Sequence, residues 1–121
     1  MGIRVPLFLI FMVFTFISSL TWSKGMSEEA KIQTLLKRVE ESKYIFIRNG
    51  REYSAQKARK HLEAKYNRVK RKIKTANDFI EQLATKSSLS GKPYLMKNPE
   101  NGKKTLLRIW LKAQLRSIEK G

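Results

Sequence analysis

Asn49-Gly50 is the feature that most restricts how this chain folds, because it follows the apolar run Tyr44-Ile45-Phe46-Ile47 and precedes Arg51-Glu52-Tyr53. A type I′ turn needs positive φ at both central residues, and Asn followed by Gly tolerates that best. The segment therefore reads as a β-hairpin. Its first strand carries aromatic and β-branched residues on both parities, the pattern of a strand covered on both faces.

Helical signals flank the hairpin. Ser27, with Glu28 and Glu29 behind it, has the chemistry of a helix N-terminus, and Ile32, Leu35, Leu36 and Val39 recur at helical spacing. On the other side Ser54 starts a second helix whose apolar positions are Ala58, Leu62, Tyr66, Val69 and Ile73. Thr75 with Asp78 is a candidate capping-box pair that would kink or restart the helix, so the stripe that continues through Phe79, Ile80 and Leu83 belongs to one long bent helix or to two in series. Ser87 to Pro93 has loop composition, Tyr94-Leu95-Met96 reads as a short strand, and Asn98 to Gly102 reads as a second turn. Thr105 is expected to cap a last helix carrying Leu107, Trp110, Leu111 and Leu115, with Trp110 in the core. The predicted fold class is α+β: a small single domain with N-terminal helix, β-hairpin, long helix, straight or kinked, short strand and C-terminal helix.

The N-terminus is different in kind. Met1 to Arg4 is a positive start, and Val5 to Leu20 is an almost unbroken apolar run with no charge before Lys24. Thr21-Trp22-Ser23 places small residues at alternate positions, as a signal-peptidase site requires. We expect residues 1–23 to be a signal peptide, cleaved after Ser23, and residues 24–121 to be the mature domain, located in the periplasm. The alternative is an uncleaved anchor in the inner membrane, although sixteen apolar-run residues fall short of the roughly 20 that a spanning helix needs. Membrane association is expected only in that case.

Charge and cysteine content exclude several classes of function. The chain carries 26 Lys and Arg against 10 Asp and Glu, a formal net charge of +16 over 121 residues. It has no cysteine and one histidine, which removes disulfides, thiol nucleophiles, thiolate metal sites and conventional zinc sites. No cofactor or metal is expected.

Read together, FIRNG (Phe46 to Gly50), HLEAK (His61 to Lys65), TANDFIEQLA (Thr75 to Ala84), SSLSGKPYL (Ser87 to Leu95) and WL (Trp110, Leu111) resemble, in this order and spacing, the YfeK-like family of small exported bacterial proteins. That family is classed as a domain of unknown function. The resemblance implies a bacterial, periplasmic protein and carries no catalytic residue with it.

Candidate sites then rest on local chemistry. Arg48, Asn49, His61, Lys65, Ser87, Ser88 and Lys92 are the residues expected to form a binding surface for an envelope partner, either a protein or an anionic polymer, in a non-catalytic interaction module. Arg51 and Glu52 add charge at the hairpin tip, where the bland reading is that they hold it in solvent. The loop Ser87 to Lys92 offers hydroxyls, a glycine and a cation, yet its spacing is wrong for a phosphate-binding P-loop. A second reading assigns polyanion binding to the basic helix through Lys57, Lys60, Arg68, Arg71 and Lys74, with anionic lipid or lipopolysaccharide favoured and nucleic acid disfavoured by export and by the absence of interleaved aromatics. A third is a hydrolase or transferase that uses His61 with a serine, for which no triad spacing is present. For His61 the simplest expectation is a hydrogen bond to the hairpin or to the following loop.

Overall fold

The computed structural model describes residues 25–121. The expected signal peptide and its cleavage point lie outside the described residues. In chain order the elements are α1 (Glu28–Glu41), β1 (Ile45–Arg48), β2 (Arg51–Tyr53), α2 (Ala55–Val69), a 3-10 turn (Lys70–Lys72), α3 (Ala76–Leu83), β3 (Leu95–Lys97), β4 (Lys104–Leu106) and α4 (Leu107–Lys120). The fold is a small α+β domain, as expected.

Each helix begins where its polar residues allow. Ser27 Oγ accepts from the Ala30 N-H at 3.1 Å, and Ser54 Oγ accepts from the Lys57 N-H at 3.2 Å, so orphan donors of α1 and α2 are satisfied. The α1 stripe Ile32, Leu35, Leu36 and Val39 is fully buried, and α1 packs against all three other helices. α2 ends at Val69, and three consecutive cations pass through the 3-10 turn to Ile73, which is extended. Thr75 and Asp78 then restart the chain with both bonds of a capping box, at 3.0 and 3.1 Å. The chain thus makes two helices in series rather than one bent one.

The hairpin has the expected turn, with φ of 53° at Asn49 and 78° at Gly50. It belongs to a four-stranded antiparallel sheet of order β2-β1-β3-β4. Sequence reasoning missed β4, and it placed Thr105 wrongly. Thr105 lies within β4, opposite Met96, and α4 starts behind Leu106, which provides no side-chain cap. The reason is physical: β4 is a short edge strand whose residues Lys104, Thr105 and Leu106 are all exposed, so no burial pattern marks it. Lysine on an edge strand also discourages pairing with another sheet.

Side chains alternate across the sheet. Phe46 and Met96, directly paired in register, point into the helical layer and join a core with Phe79, Ile80 and Leu111. Trp110 is half-buried and packs against that core, its ring edge-on to Tyr44 at 6.3 Å. The core lies between one sheet face and the four helices, with its rim where β1 meets the first half of α2.

Candidate functional site

Arg48 is two residues after Phe46 and so shares its parity, facing the helical layer at the open end of β1. On α2, His61 and Lys65 are one turn apart on one face, beside the buried Leu62. Tyr94, just before β3, is pinned by backbone bonds from its N-H to the Thr85 carbonyl and from the Leu107 N-H to its own carbonyl. These three segments converge. The Tyr94 hydroxyl lies 3.1 Å from Lys65 Nζ and 3.1 Å from His61 Nε2.

The proton arrangement follows from donor counting. Lys65 has only N-H groups to offer, so it donates to the Tyr94 oxygen. We assign the Tyr94 O-H as donor to His61 Nε2, the arrangement that gives the phenol proton an acceptor and makes His61 the neutral tautomer protonated at Nδ1. Charge agrees with this assignment. Burial, reinforced by the cations of Arg48, Lys65 and Arg68, depresses His61 from 6.5 to about 4, leaving the ring neutral near pH 7. Burial, with Arg68 and Arg48 beside it, also lowers Lys65, and burial raises Tyr94.

Lys65 is only 6% exposed, an unusual position for a lysine without a carboxylate partner. Among the described residues, no ion pair involves Arg48, Lys57, Lys60, Lys65 or Arg68. The nearby acids are engaged elsewhere: Glu40 and Glu63 with Arg59, and Glu52 with Lys97. Arg48 stacks its guanidinium 5.5 Å from the Tyr53 ring centroid, and its Nε is buried without a hydrogen-bond partner. The result is a local excess of positive charge in which Lys65 is buried, Arg48 half-buried and Lys57, Lys60 and Arg68 exposed.

Beside it runs a groove of about 290 Å³ between β1, β2 and α2, with Arg48, Lys57, Lys60 and His61 on its walls and Phe46, Leu62 and Leu107 among its apolar lining. No carboxylate lines it.

Lys65 lies behind the groove, held by the Tyr94 hydroxyl and the Lys86 carbonyl, and is not part of its lining; the remaining expected site residues separate from it. Asn49 and Lys92 line a second depression, of about 320 Å³, that also includes Glu52 and Lys104. Both depressions touch Ile47 and Leu95, which face away from the helical layer by strand alternation. The two therefore adjoin across β1 and β3 without merging. Asn49 Oδ1 accepts a hydrogen bond from the Ser90 hydroxyl, tying the hairpin tip to the Ser-Gly-Lys loop. Inside that loop the N-H groups of Ser87, Leu89, Gly91 and Lys92 already donate to loop oxygens, so they do not form a cradle for phosphate. Ser87 is buried as part of this closure, while Ser88 is exposed.

The basic helix is also divided. Lys57, Lys60 and Arg68 are exposed on α2, whereas Arg71 belongs to the 3-10 turn and Lys74 to the connection after it. Tyr94 and Tyr53, which complete the site, were not singled out from sequence. Tyr94 reads there as a strand residue, and its one available signal is a phenol in an otherwise apolar segment, a group that needs a buried partner.

The matched region decides the relationship. A model described as a family of unknown function, DUF5329, matches residues 26–119. The chain belongs to this family. It is also similar to the uncharacterized protein YfeK of Salmonella typhimurium, 38% identical over 68 residues, which covers 55% of this chain and 57% of that protein. The match thus spans little more than half the length of the curated relative. No solved structure matches the chain. The DUF5329 match covers all the elements that build the groove, from α1 to nearly the end of α4.

Proposed function

We propose that this DUF5329 protein is an exported, non-catalytic binding module of the bacterial cell envelope that holds an anionic ligand at the Arg48–His61 groove. The observation that carries the reading is the half-buried Arg48 guanidinium on the groove wall, whose Nε has no hydrogen-bond partner and which, like the buried Lys65 behind the groove, meets no acidic side chain among the described residues. A desolvated charge left unpaired costs stability, and a ligand anion offsets that cost. Export is supported by the basic start, apolar run and small-residue boundary of residues 1–23; no helix among the described residues is long and apolar enough to cross a membrane.

Non-catalytic binding is supported by how the polar groups are used. His61 is occupied by Tyr94, the Ser54 hydroxyl caps α2 and the Ser87 hydroxyl accepts from Leu89. Two measurements test the proposal. Intact mass of protein recovered from the periplasm should lack residues 1–23. Titration with phenyl phosphate, followed by NMR, should move the resonances of His61 and Tyr94 in the wild type and leave them in place in Arg48→Met. Absence of the protein from the periplasm refutes export, a retained leader refutes cleavage after Ser23, and unmoved resonances in the wild type refute the groove.

A second reading, polyanion binding along the basic helix, is favoured by the exposure of Lys57, Lys60, Arg68, Arg71 and Lys74, none of which is in an ion pair among the described residues. Because α2 ends at Val69, one straight polymer reaches only the first three together. Its affinity should then fall with salt at a log-log slope of about −2 to −3.

A further inference from the structure

We infer that the groove takes a single-chain amphiphile: a carboxylate or phosphate head at Arg48 and a hydrocarbon tail along Tyr53, Ala58 and Leu95, above the buried floor of Phe46, Leu62 and Leu107. This rests on the anion-binding reading above and adds to it the chemistry of the rest of the ligand.

The walls dictate the combination. A small inorganic anion would satisfy Arg48 but would leave the half-buried carbon surfaces of Tyr53, Ala58 and Leu95 facing water. A neutral hydrocarbon would cover those surfaces and desolvate the rest of the half-buried Arg48 guanidinium, whose Nε is already buried without a partner, together with the neighbouring cations, at a cost. Only a ligand with both parts satisfies both kinds of wall. Size narrows the class further. At about 290 Å³ the groove is at the lower end of ligand sites, which run from about 300 to 1,000 Å³, so it suits one chain rather than the two of a bilayer phospholipid. Lys57 and Lys60, exposed on the groove wall, supply long-range attraction for the head.

Calorimetric titration of the full chain, at probe concentrations below micelle formation, tests this with decyl phosphate, decanoate, inorganic phosphate and decyltrimethylammonium. The expected result is one anionic amphiphile per chain, bound at least about tenfold more tightly than inorganic phosphate or the cationic amphiphile, a difference of about 1.4 kcal/mol. A preference for decyl phosphate or for decanoate supports the inference either way and identifies the head. Arg48→Met should weaken anionic-amphiphile binding at least about tenfold. Ala58→Phe, which fills the groove from α2, should abolish it, and an unchanged melting temperature in either variant shows that the loss is not unfolding. Equal binding of inorganic and decyl phosphate overturns the amphiphile while the anion-binding reading survives. Equal binding of the cationic amphiphile overturns the role of Arg48, as does undiminished binding in both variants, which places the ligand elsewhere. Absence of binding by every anion defeats this inference and the reading beneath it together.

Discussion

Acidification from about pH 6.5 to about pH 4.5 should destabilise the fold through His61 alone, before the carboxylates respond. The unfolded ring binds a proton at its ordinary value of 6.5, whereas the folded ring resists until about 4. A base whose folded value is depressed contributes nothing above the unfolded value; between the two values the unfolded state alone gains the proton, and stability falls as pH falls. The groups facing the ring are Arg48 from β1, Lys65 and Arg68 from α2, and the Tyr94 hydroxyl; all oppose or fail to compensate a new positive charge. The full displacement would correspond to a ceiling of about 3 kcal/mol, and the ring's partial contact with solvent lowers the expected effect to about 1 to 2 kcal/mol. Glu28, held low by Lys31, and Glu81, held at about 2 by Arg108 and Lys112, lose their contributions only below the ordinary carboxylate value of 4.5. Urea midpoints measured across this window, for wild type and for His61→Gln, isolate the histidine, since glutamine can still accept from Tyr94 and does not titrate. The wild type should lose about 1 to 2 kcal/mol more than the variant. Parallel loss in both proteins would refute the reasoning, and so would an NMR midpoint near 6.5 for this sole histidine.

Further predictions concern the core, the caps and the buried cation. Lys65→Met should raise stability by about 1 kcal/mol or more at neutral pH, because it removes an uncompensated buried charge and leaves Tyr94 bonded to His61; chemical denaturation measures this directly. Phe79→Ala, at a fully buried position, should cost about 3 to 5 kcal/mol, a large share of a small domain's stability, visible as a collapsed urea midpoint. Gly50→Ala, at φ of 78°, should cost about 1 kcal/mol. Gly25→Ala, in open space without such a φ, should leave the melting temperature unchanged. Thr75→Ala should cost about 1 kcal/mol by opening the capping box between the 3-10 turn and α3, again by thermal melt.

Much of the fold was legible along the chain because its signals are local. Asn49-Gly50 specifies the turn through backbone sterics, Ser27, Ser54 and Thr75 mark helix starts through one reachable N-H each, and the spacing of Ile32, Leu35, Leu36 and Val39 declares a buried face. β4 escaped because an exposed edge strand has neither apolar alternation nor a distinctive turn residue of its own. Thr105 misled for a related reason: a hydroxyl before an apolar stripe caps only if the backbone there is free, and pairing with Met96 had already claimed it.

The binding surface divides in the same way. Residue types and positive charge were determined by sequence, as was the nearness of His61 to Lys65, one helical turn apart. That Tyr94 joins them, that Arg48 shares their side of the sheet while Asn49 and Lys92 line a separate depression, and that no carboxylate among the described residues reaches Lys65 were decided only by tertiary structure. The hydrogen bonds that join Lys65 and His61 to Tyr94, 29 and 33 residues away along the chain, depend on how α2 lies across the sheet, and local propensity carries no information about that packing.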